Sequence, residues 1–97
     1  GNLTPKKIIQ AVSSYFDVSI ENIVGACRRK ELVLPRQIVM YLMREEINAS
    51  YPSIGQELGG RDHTTAIHAC NKIINVLTRD EKMKNDISLI KQRLYHA

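Results

Sequence analysis

The sequence predicts an all-α domain of about six helices that contains a helix-turn-helix motif. Several stretches repeat apolar residues at the three- and four-residue spacing of one helix face. No stretch alternates apolar and polar residues with the two-residue period of a strand, and no internal repeat or low-complexity tract is visible. A Gly-Gly pair separates a short helical stretch from a long one, as in a helix-turn-helix. A chain of 97 residues fits one domain, which we predict to occupy residues 1–97.

The first two helices are marked by their capping residues. Thr4 is a suitable N-cap, and Pro5 fits the first position of a helix because that position needs no backbone N–H. Apolar residues at helical spacing follow: Ile8, Ile9, Val12 and Phe16. Ser19 can cap a short second helix, which Gly25 ends. These signals predict two consecutive helices in the first quarter of the chain.

Three consecutive cations, Arg28, Arg29 and Lys30, lie in a predicted loop after the second helix. In an arbitrary protein such a run is usually a solvated surface. Beside a helix-turn-helix, a flexible basic loop can instead reach into a minor groove of DNA, as homeodomain arms do. The neighbouring motif favours the second interpretation.

The third helix is predicted from Pro35 to Asn48, with two apolar rows formed by Leu34, Ile38, Leu42 and by Val39, Met43. Arg36, Gln37 and Arg44 lie outside these rows. Unpaired N–H groups and the helix dipole make a helix N-terminus suitable for phosphates. Arg36 and Gln37 are therefore candidate phosphate contacts, and ordinary solvent-facing positions are the alternative.

Each of the last three helices also has a predicted N-cap. Ser50 can cap a short fourth helix with Pro52 in its first turn. Asp62 can cap the fifth helix after the Gly-Gly turn, because its carboxylate can accept a backbone N–H two or three residues later. Asp80 can cap the sixth helix, whose apolar residues are Met83, Ile87, Ile90 and Leu94. The fourth and fifth helices then form the helix-turn-helix.

The fifth helix combines an apolar stripe with a polar first turn. The stripe consists of Ala66, Cys70, Ile73 and Leu77, with Ile67 and Ile74 beside it. The opposite side carries Thr64, Thr65, His68, Asn71 and Lys72. Donors and acceptors clustered at the N-terminus of such a helix are what a recognition helix needs, since that end enters the major groove.

Composition limits the remaining possibilities. The net charge of +4 and the pI of about 9.3 permit nucleic-acid binding without proving it. No apolar run approaches the roughly 20 residues of a membrane span, and no signal peptide is visible. Cys27 and Cys70 suggest reduced thiols in a cytoplasmic protein. Because the first residue is Gly rather than Met, we expect an excised part of a larger protein.

Metal binding and catalysis are not expected. His63 and His68 are five positions apart, whereas zinc-binding helices place two His four apart. Cys70 falls in the apolar stripe, where a free Cys acts as a small hydrophobe. His63 lacks a second catalytic group in an enclosed cleft. The phosphate-loop pattern G-x-x-x-x-G-K-[ST] is absent from the sequence, so we predict no enzymatic activity, no metal and no cofactor in this domain.

The run Gly59 to Cys70, GGRDHTTAIHAC, closely resembles the signature of the DnaA family of bacterial chromosome replication initiators. Pro35-Arg36-Gln37 and the helix spacing agree, so the resemblance extends from about Leu3 to the end of the chain. It implies the family's C-terminal DNA-binding domain, an all-α fold with a helix-turn-helix of the Trp-repressor type. Its implied ligand is a double-stranded DnaA box, close to TTATCCACA, at the replication origin.

The resemblance also implies roles for individual residues. Base contacts fall on Pro52, Asp62, His63, Thr64 and Thr65 in the major groove and on Arg28 in the minor groove, with Arg29 and Lys30 as alternatives to Arg28. DNA backbone contacts fall on Arg36, Gln37, Arg44, Asn48, Arg61 and His68. Two places depart from the family's usual pattern: Glu31, Leu32 and Val33 stand where more basic and small polar residues are frequent, and Tyr51 stands where Leu is common.

The resemblance further implies a cytoplasmic, nucleoid-associated initiator. Its ATP would bind a separate AAA+ domain, and the full-length protein would self-assemble through domains outside this chain, which alone is expected to be monomeric. Two other classes stay open. One is a transcription regulator or transposon-associated protein that uses the same domain, which neighbouring domains would reveal. The other is a protein-interaction module, which selective retention of duplex DNA would exclude.

Overall fold

The computed structural model describes residues 2–96, and within that range the protein consists of six α-helices and no β-strand. The helices are α1 (Pro5–Phe16), α2 (Ile20–Val24), α3 (Val33–Ile47), α4 (Tyr51–Glu57), α5 (His63–Leu77) and α6 (Glu81–His96). A 3₁₀ turn, Lys30–Leu32, leads into α3. The predicted fold class and number of helices are thereby confirmed. None of these helices combines the length and the apolarity needed to cross a membrane.

The predicted N-caps all form. In each, a side-chain oxygen accepts a backbone N–H from two or three residues further on, which satisfies one of the unpaired donors at a helix start. The capping residues are Thr4, Ser19, Ser50, Asp62 and Asp80. Gly25 ends α2 as predicted. Short-range sequence signals therefore set most of the helix boundaries.

The third helix differs from its predicted bounds. It begins at Val33 rather than Pro35, and it ends at Ile47, with Asn48 as a left-handed C-cap at φ 52°. The cause lies upstream, where the 3₁₀ turn buries Leu32 completely and brings the chain into the core before Pro35 is reached. The C-terminal part of the predicted loop is consequently ordered as this turn, and Lys30 belongs to it.

α3 is the central helix of the fold. It packs against α1, α4 and α5, and its most extensive contact is with α5. Six consecutive residues are buried: Ile38, Val39, Met40, Tyr41, Leu42 and Met43. A helix buried around its whole circumference has neighbours on every side. α3 therefore serves as the support on which the helix-turn-helix is held.

The face that α5 turns toward α3 is narrower than the predicted stripe. Its buried residues are Ala66, Ala69, Cys70 and Ile73. Ile74, predicted to lie beside the stripe, is 48% exposed, and Leu77 is only partly buried. Small side chains at the contact allow α5 to approach α3 closely. The Cys70 thiol donates to the Met40 carbonyl at 3.4 Å, which joins the two helices.

Candidate nucleic-acid interface

The turn between α4 and α5 is tight and depends on glycine. Gly59 and Gly60 both adopt left-handed conformations, with φ of 76° and 80°, that side chains other than glycine rarely tolerate. Gly55 allows a close approach, because a Cβ there would lie 2.1 Å from the Arg61 carbonyl oxygen. The Arg61 N–H donates to the Gly55 carbonyl at 2.8 Å. These contacts fix how α5 leaves the turn.

The first turn of α5 is organised by one oxygen of Asp62. Oδ1 accepts the Thr64 backbone N–H at 2.9 Å and the Thr64 hydroxyl at 2.5 Å. The same atom lies 3.2 Å from Nδ1 of His63. Hydrogen bonds from the side chain and the backbone of Thr64, and the electrostatic influence of the neighbouring His63, lower the pKa of Asp62. Asp62 is therefore a carboxylate that both caps the helix and orders its neighbours.

This arrangement determines what the first turn offers to another molecule. Thr64 uses its hydroxyl proton within the turn, so its methyl group and oxygen lone pairs remain for an incoming ligand. Oδ2 of Asp62 accepts no hydrogen bond within residues 2–96, so it can accept one from outside. All the residues predicted to contact bases in the major groove are exposed: Pro52, Asp62, His63, Thr64 and Thr65.

The junction between α3 and α4 carries two predicted backbone-contacting residues, Arg44 and Asn48. The Arg44 guanidinium stacks over the Tyr51 ring at 4.2 Å and donates to the Ala49 carbonyl at 3.1 Å. Asn48 is exposed in its left-handed cap position. Tyr51, at a position where Leu was the expected residue, thus holds Arg44 against the start of α4. Pro52 is the next residue and faces solvent.

The basic run 28–30 is exposed throughout. Arg29 forms an ion pair with Glu31, at 3.2 Å between Nε and Oε1. Arg28 forms neither an ion pair nor a side-chain hydrogen bond within residues 2–96, and the same is true of Lys30. The guanidinium of Arg28 therefore keeps all of its donors for an external partner, which favours Arg28 over Arg29 for a role in recognition.

Arg36 is not a solvent-facing residue. Only 8% of it is exposed, and its guanidinium binds the C-terminal end of α2. Nε donates to the Ile23 carbonyl at 2.8 Å, and Nη2 donates to the carbonyls of Asn22 at 2.6 Å and Gly25 at 3.2 Å. Charge-assisted hydrogen bonds of this kind are strong when they are buried. The predicted phosphate contact of Arg36 stays a prediction, but much of the side chain is used inside the protein.

Arg61 binds the same end of α2 as Arg36. Nη1 donates to the carbonyls of Val24 at 3.0 Å and Leu58 at 2.5 Å, and Nη2 donates to Gly25 at 2.7 Å. Burial, together with the positive charge of Arg36, lowers the pKa of Arg61. Arg61 thus connects α2, α4 and the start of α5, and its contact with the DNA backbone likewise stays a prediction.

A groove of about 470 Å³ runs between α3 and α5. Its lining includes four predicted backbone-contacting residues, Arg36, Gln37, Arg61 and His68, and also Thr65 and Lys72. Lys72 was not assigned a role from the sequence. Its spacing of four residues from His68 places both on one side of α5 and was the available signal. The groove brings residues of both helices to a single basic surface.

The residues that could suggest metal or nucleophile chemistry are kept apart. His63 is exposed in the first turn of α5, whereas Cys70 is fully buried and bonded to Met40. Burial raises the pKa of the Cys70 thiol to about 11, which disfavours a nucleophilic thiolate. Within residues 2–96, no three His, Cys, Asp or Glu side chains come together as metal ligands would.

Comparisons with known proteins agree with this geometry. Residues 5–73 match a family model described as the bacterial dnaA protein helix-turn-helix. The chromosomal replication initiator protein DnaA of Thermomicrobium roseum is 50% identical over 93 residues, which is 96% of this chain and 20% of that protein. The DnaA of Herpetosiphon aurantiacus is 48% identical with the same coverage.

A solved structure is also similar. The crystal structure of a DNA replication initiation factor superposes with a TM-score of 0.78 at 29% identity, over 94% of this chain and 29% of that chain. This likeness extends over nearly all of the described helices. The chain spans about a fifth, 20%, of the length of the curated relatives named above.

Proposed function

Because this chain belongs to the bacterial DnaA helix-turn-helix family, we propose that it binds double-stranded DNA sequence-specifically and thereby acts in the initiation of chromosome replication. The observation that carries this proposal is the exposed first turn of α5, where Asp62 orders His63 and Thr64. A turn of this kind at the N-terminus of the second helix of a helix-turn-helix is suited to the major groove.

The proposed ligand is a DnaA box, with a sequence near TTATCCACA. Oδ2 of Asp62 is suited to the amino group of a cytosine, and the Thr64 methyl group to the methyl group of a thymine. His63 can donate to a base or accept from one, and Thr65 can contact a base or a phosphate. Pro52 contributes an apolar contact to a thymine. Each of these pairings depends on side chains that are exposed in the structure.

The minor groove is assigned to Arg28 and the phosphates to residues around the recognition helix. Arg28 is exposed, and no partner within residues 2–96 occupies its guanidinium. The proposed backbone contacts are Gln37, Arg44, Asn48 and His68, together with whichever N–H groups of Arg36 and Arg61 are not used internally. Phosphate contacts of this kind position a protein on DNA without reading its sequence.

We further propose that this domain acts without a cofactor of its own. Its sequence contains no phosphate-loop motif, so ATP would bind elsewhere in a longer protein. Self-assembly is likewise assigned to regions outside this chain, and the isolated chain is proposed to be a monomer. The proposed location is the bacterial nucleoid within the cytoplasm, where the DNA is.

The groove assignment of Arg28 can be tested with modified base pairs. Inosine lacks the guanine amino group, so an inosine·cytosine pair resembles A·T in the minor groove and G·C in the major groove. Replacing the leading T·A pairs of the box by G·C should weaken binding by roughly 1–3 kcal/mol per pair, and inosine·cytosine should restore most of it. Fluorescence-anisotropy titrations with the three duplexes measure this.

Two variants complete the test. Arg28→Ala should nearly abolish the difference between the G·C and inosine·cytosine duplexes. Arg29→Ala is the matched control, because Arg29 is also exposed but is paired with Glu31, and the difference should persist. Equal weakening by both replacements in the unmodified protein would indicate major-groove recognition at those pairs and would refute the assignment of Arg28.

A further inference from the structure

We propose that Gly59 and Arg61 are positioning residues that fix the basic loop relative to the first turn of α5, so that both can engage one duplex. The basic loop is the segment 26–29, between α2 and the 3₁₀ turn. The inference rests on the proposed function, because it concerns how two DNA-contacting segments are held together. It assigns to these two residues a role distinct from contact with DNA.

At the C-terminal end of α2, side chains donate hydrogen bonds to the backbone carbonyls that have no partner within the helix. α2 has 5 residues, and the last carbonyls of any helix lack partners within it. The Glu21 carbonyl is satisfied by the Gly25 N–H. The next four carbonyls receive their bonds from Arg36 and Arg61, and they belong to Asn22, Ile23, Val24 and Gly25. We call the two guanidiniums and these four carbonyls the carbonyl clamp.

The carbonyl clamp joins the two DNA-contacting segments. Gly25 is the last clamped residue, and the basic loop begins immediately after it. Arg61 directly precedes Asp62, the N-cap of α5. The side chain of Arg61 therefore connects the start of the basic loop to the start of the recognition helix. Arg28 lies three residues beyond the last clamped residue, Gly25, so the clamp limits the range of positions that Arg28 can reach.

Gly59 brings the helix-turn-helix turn into direct contact with α2. A Cβ on Gly59 would lie 2.3 Å from the Val24 carbonyl oxygen, closer than real Cβ contacts allow. A Cβ on Gly60 would meet nothing within 4 Å, although both glycines have similar left-handed φ values of 76° and 80°. Only Gly59 therefore requires glycine for the packing of the turn against α2 as well as for its own conformation.

Correct spacing matters because binding in two grooves is bivalent. Once α5 is bound in the major groove, binding of the basic loop in the minor groove is an intramolecular step. The resulting gain in affinity is lost if the geometry does not allow both contacts at once. A shift of α2 away from the turn would displace Arg28 without altering the first turn of α5. Minor-groove selectivity should then fall while major-groove selectivity persists. A clamp that only stabilised the fold would leave both selectivities unchanged in protein that is still folded.

The matched pair Gly59→Ala and Gly60→Ala tests this difference. Both place a Cβ in a left-handed backbone, so both should lower the unfolding temperature through strain. DNA-binding titrations are made at a temperature below the unfolding transitions of both variants. The duplexes are the box, its G·C and inosine·cytosine versions, and a box with one central C·G pair replaced by T·A. In the unmodified protein and in Gly60→Ala, the box should bind about tenfold or more tightly than the G·C version.

In Gly59→Ala this minor-groove preference should fall to within about twofold, while the preference for the central C·G pair is kept.

Arg61→Lys is the second variant and leaves the backbone unaltered. An ammonium cannot reproduce the forked contacts to three carbonyls, so the same selective loss should appear. Intact minor-groove preference in either folded variant would overturn the inference. If the unmodified protein shows no preference for the box at all, the proposed function itself fails and the inference with it.

Discussion

Thr64 and His63 occupy neighbouring exposed positions, and both are ordered by Asp62. We expect Thr64→Ala and His63→Ala each to weaken binding to the box by about 1–3 kcal/mol. Binding to scrambled duplex should change little, because non-specific affinity rests on phosphates. Anisotropy titrations measure both. Ser88→Ala, which removes an exposed hydroxyl group on α6, is the control and should leave both affinities unchanged.

Thr64→Ser refines this prediction. It keeps the hydroxyl group that bonds Asp62 and removes the methyl group assigned to a thymine. If the methyl contact matters, Thr64→Ser should behave like Thr64→Ala toward the box. Equal losses on box and scrambled duplex, or a melting curve that shows unfolded protein, would contradict base recognition by this turn.

Arg36 leads to a prediction about stability rather than about DNA. Arg36→Ala removes the donor that satisfies the carbonyl of the fully buried Ile23, and an unsatisfied buried acceptor costs about 1–3 kcal/mol. Urea unfolding should show at least this loss. Gln37→Ala, one position along and only partly buried, should show almost none. Unchanged stability of Arg36→Ala, together with a weaker salt dependence of DNA binding, would instead support a pure phosphate contact.

Cys70 makes stability depend on pH above neutrality. Burial raises the pKa of its thiol to about 11, above the unfolded value of 9.0. A group with a raised folded pKa stabilises the fold fully below the unfolded pKa and loses that contribution as pH rises through the folded one. The free energy of unfolding should therefore fall between pH 9 and 11, by up to about 2–3 kcal/mol from Cys70.

Comparison of variants isolates this contribution, because Tyr15, Tyr41 and Tyr95 also have raised pKa values. Cys70→Ala should unfold with a flatter pH dependence over this range than the unmodified protein. Cys27→Ser should keep the original dependence, since the pKa of Cys27 is lowered, chiefly by a backbone hydrogen bond from Arg29. Parallel curves for Cys70→Ala and the unmodified protein would refute the prediction.

At the scale of the element, Asp62 at the start of α5 combines a capping role with a proposed role in base recognition. Asp62 caps the helix through Oδ1 and is assigned a cytosine contact through Oδ2. Asp62→Ala should lower the unfolding temperature and weaken box binding. Asp62→Asn keeps a capping oxygen but replaces an acceptor with an amide, so the unfolding temperature should be nearly retained while selectivity at the cytosine is lost. Equal selectivity of Asp62→Asn and the unmodified protein would remove the base-contacting role.

Local sequence signals were sufficient to predict most elements. Each N-cap was recognisable because capping depends on residues two or three positions apart, and α4, α5 and α6 begin where their caps predicted. The start of α3 was placed two residues late, because Pro35 is a strong local signal and the burial of Leu32 is a tertiary effect. Helix boundaries fail where packing overrides the local signal.

In the candidate site, too, the features that depend on local sequence were predicted, and those that depend on tertiary contacts were not. Exposure of the first turn of α5 followed from the periodicity of the helix, and the structure agrees. The internal roles of Arg36 and Arg61 could not be predicted, because most of their carbonyl partners lie at the end of α2, 11 to 37 positions away. No sequence period reports such contacts. The pairing of Arg29 with Glu31, only two residues apart, was a signal that the run of cations obscured.

At the scale of the whole molecule, the positive charge is distributed over several elements that meet on one surface. The net charge is +4, and the groove between α3 and α5 is lined by Arg36, Arg61 and Lys72. If about five or six phosphates are neutralised, the logarithm of the affinity should fall with the logarithm of the salt concentration at a slope of roughly −5. Box and scrambled duplex should share much of this slope, because phosphates carry no sequence information.

The proposed function requires that the chain recognise a DNA sequence in addition to phosphates. The most direct measurement is a competition titration of the isolated chain, in which labelled box duplex is displaced by unlabelled box or by scrambled duplex of the same length and composition, at several salt concentrations. We predict that the box competes about 10³-fold more strongly, and that this ratio persists as both affinities fall with salt. Equal competition by the two duplexes at every salt concentration would contradict sequence-specific recognition and would indicate that the protein binds DNA only through non-specific electrostatic contacts.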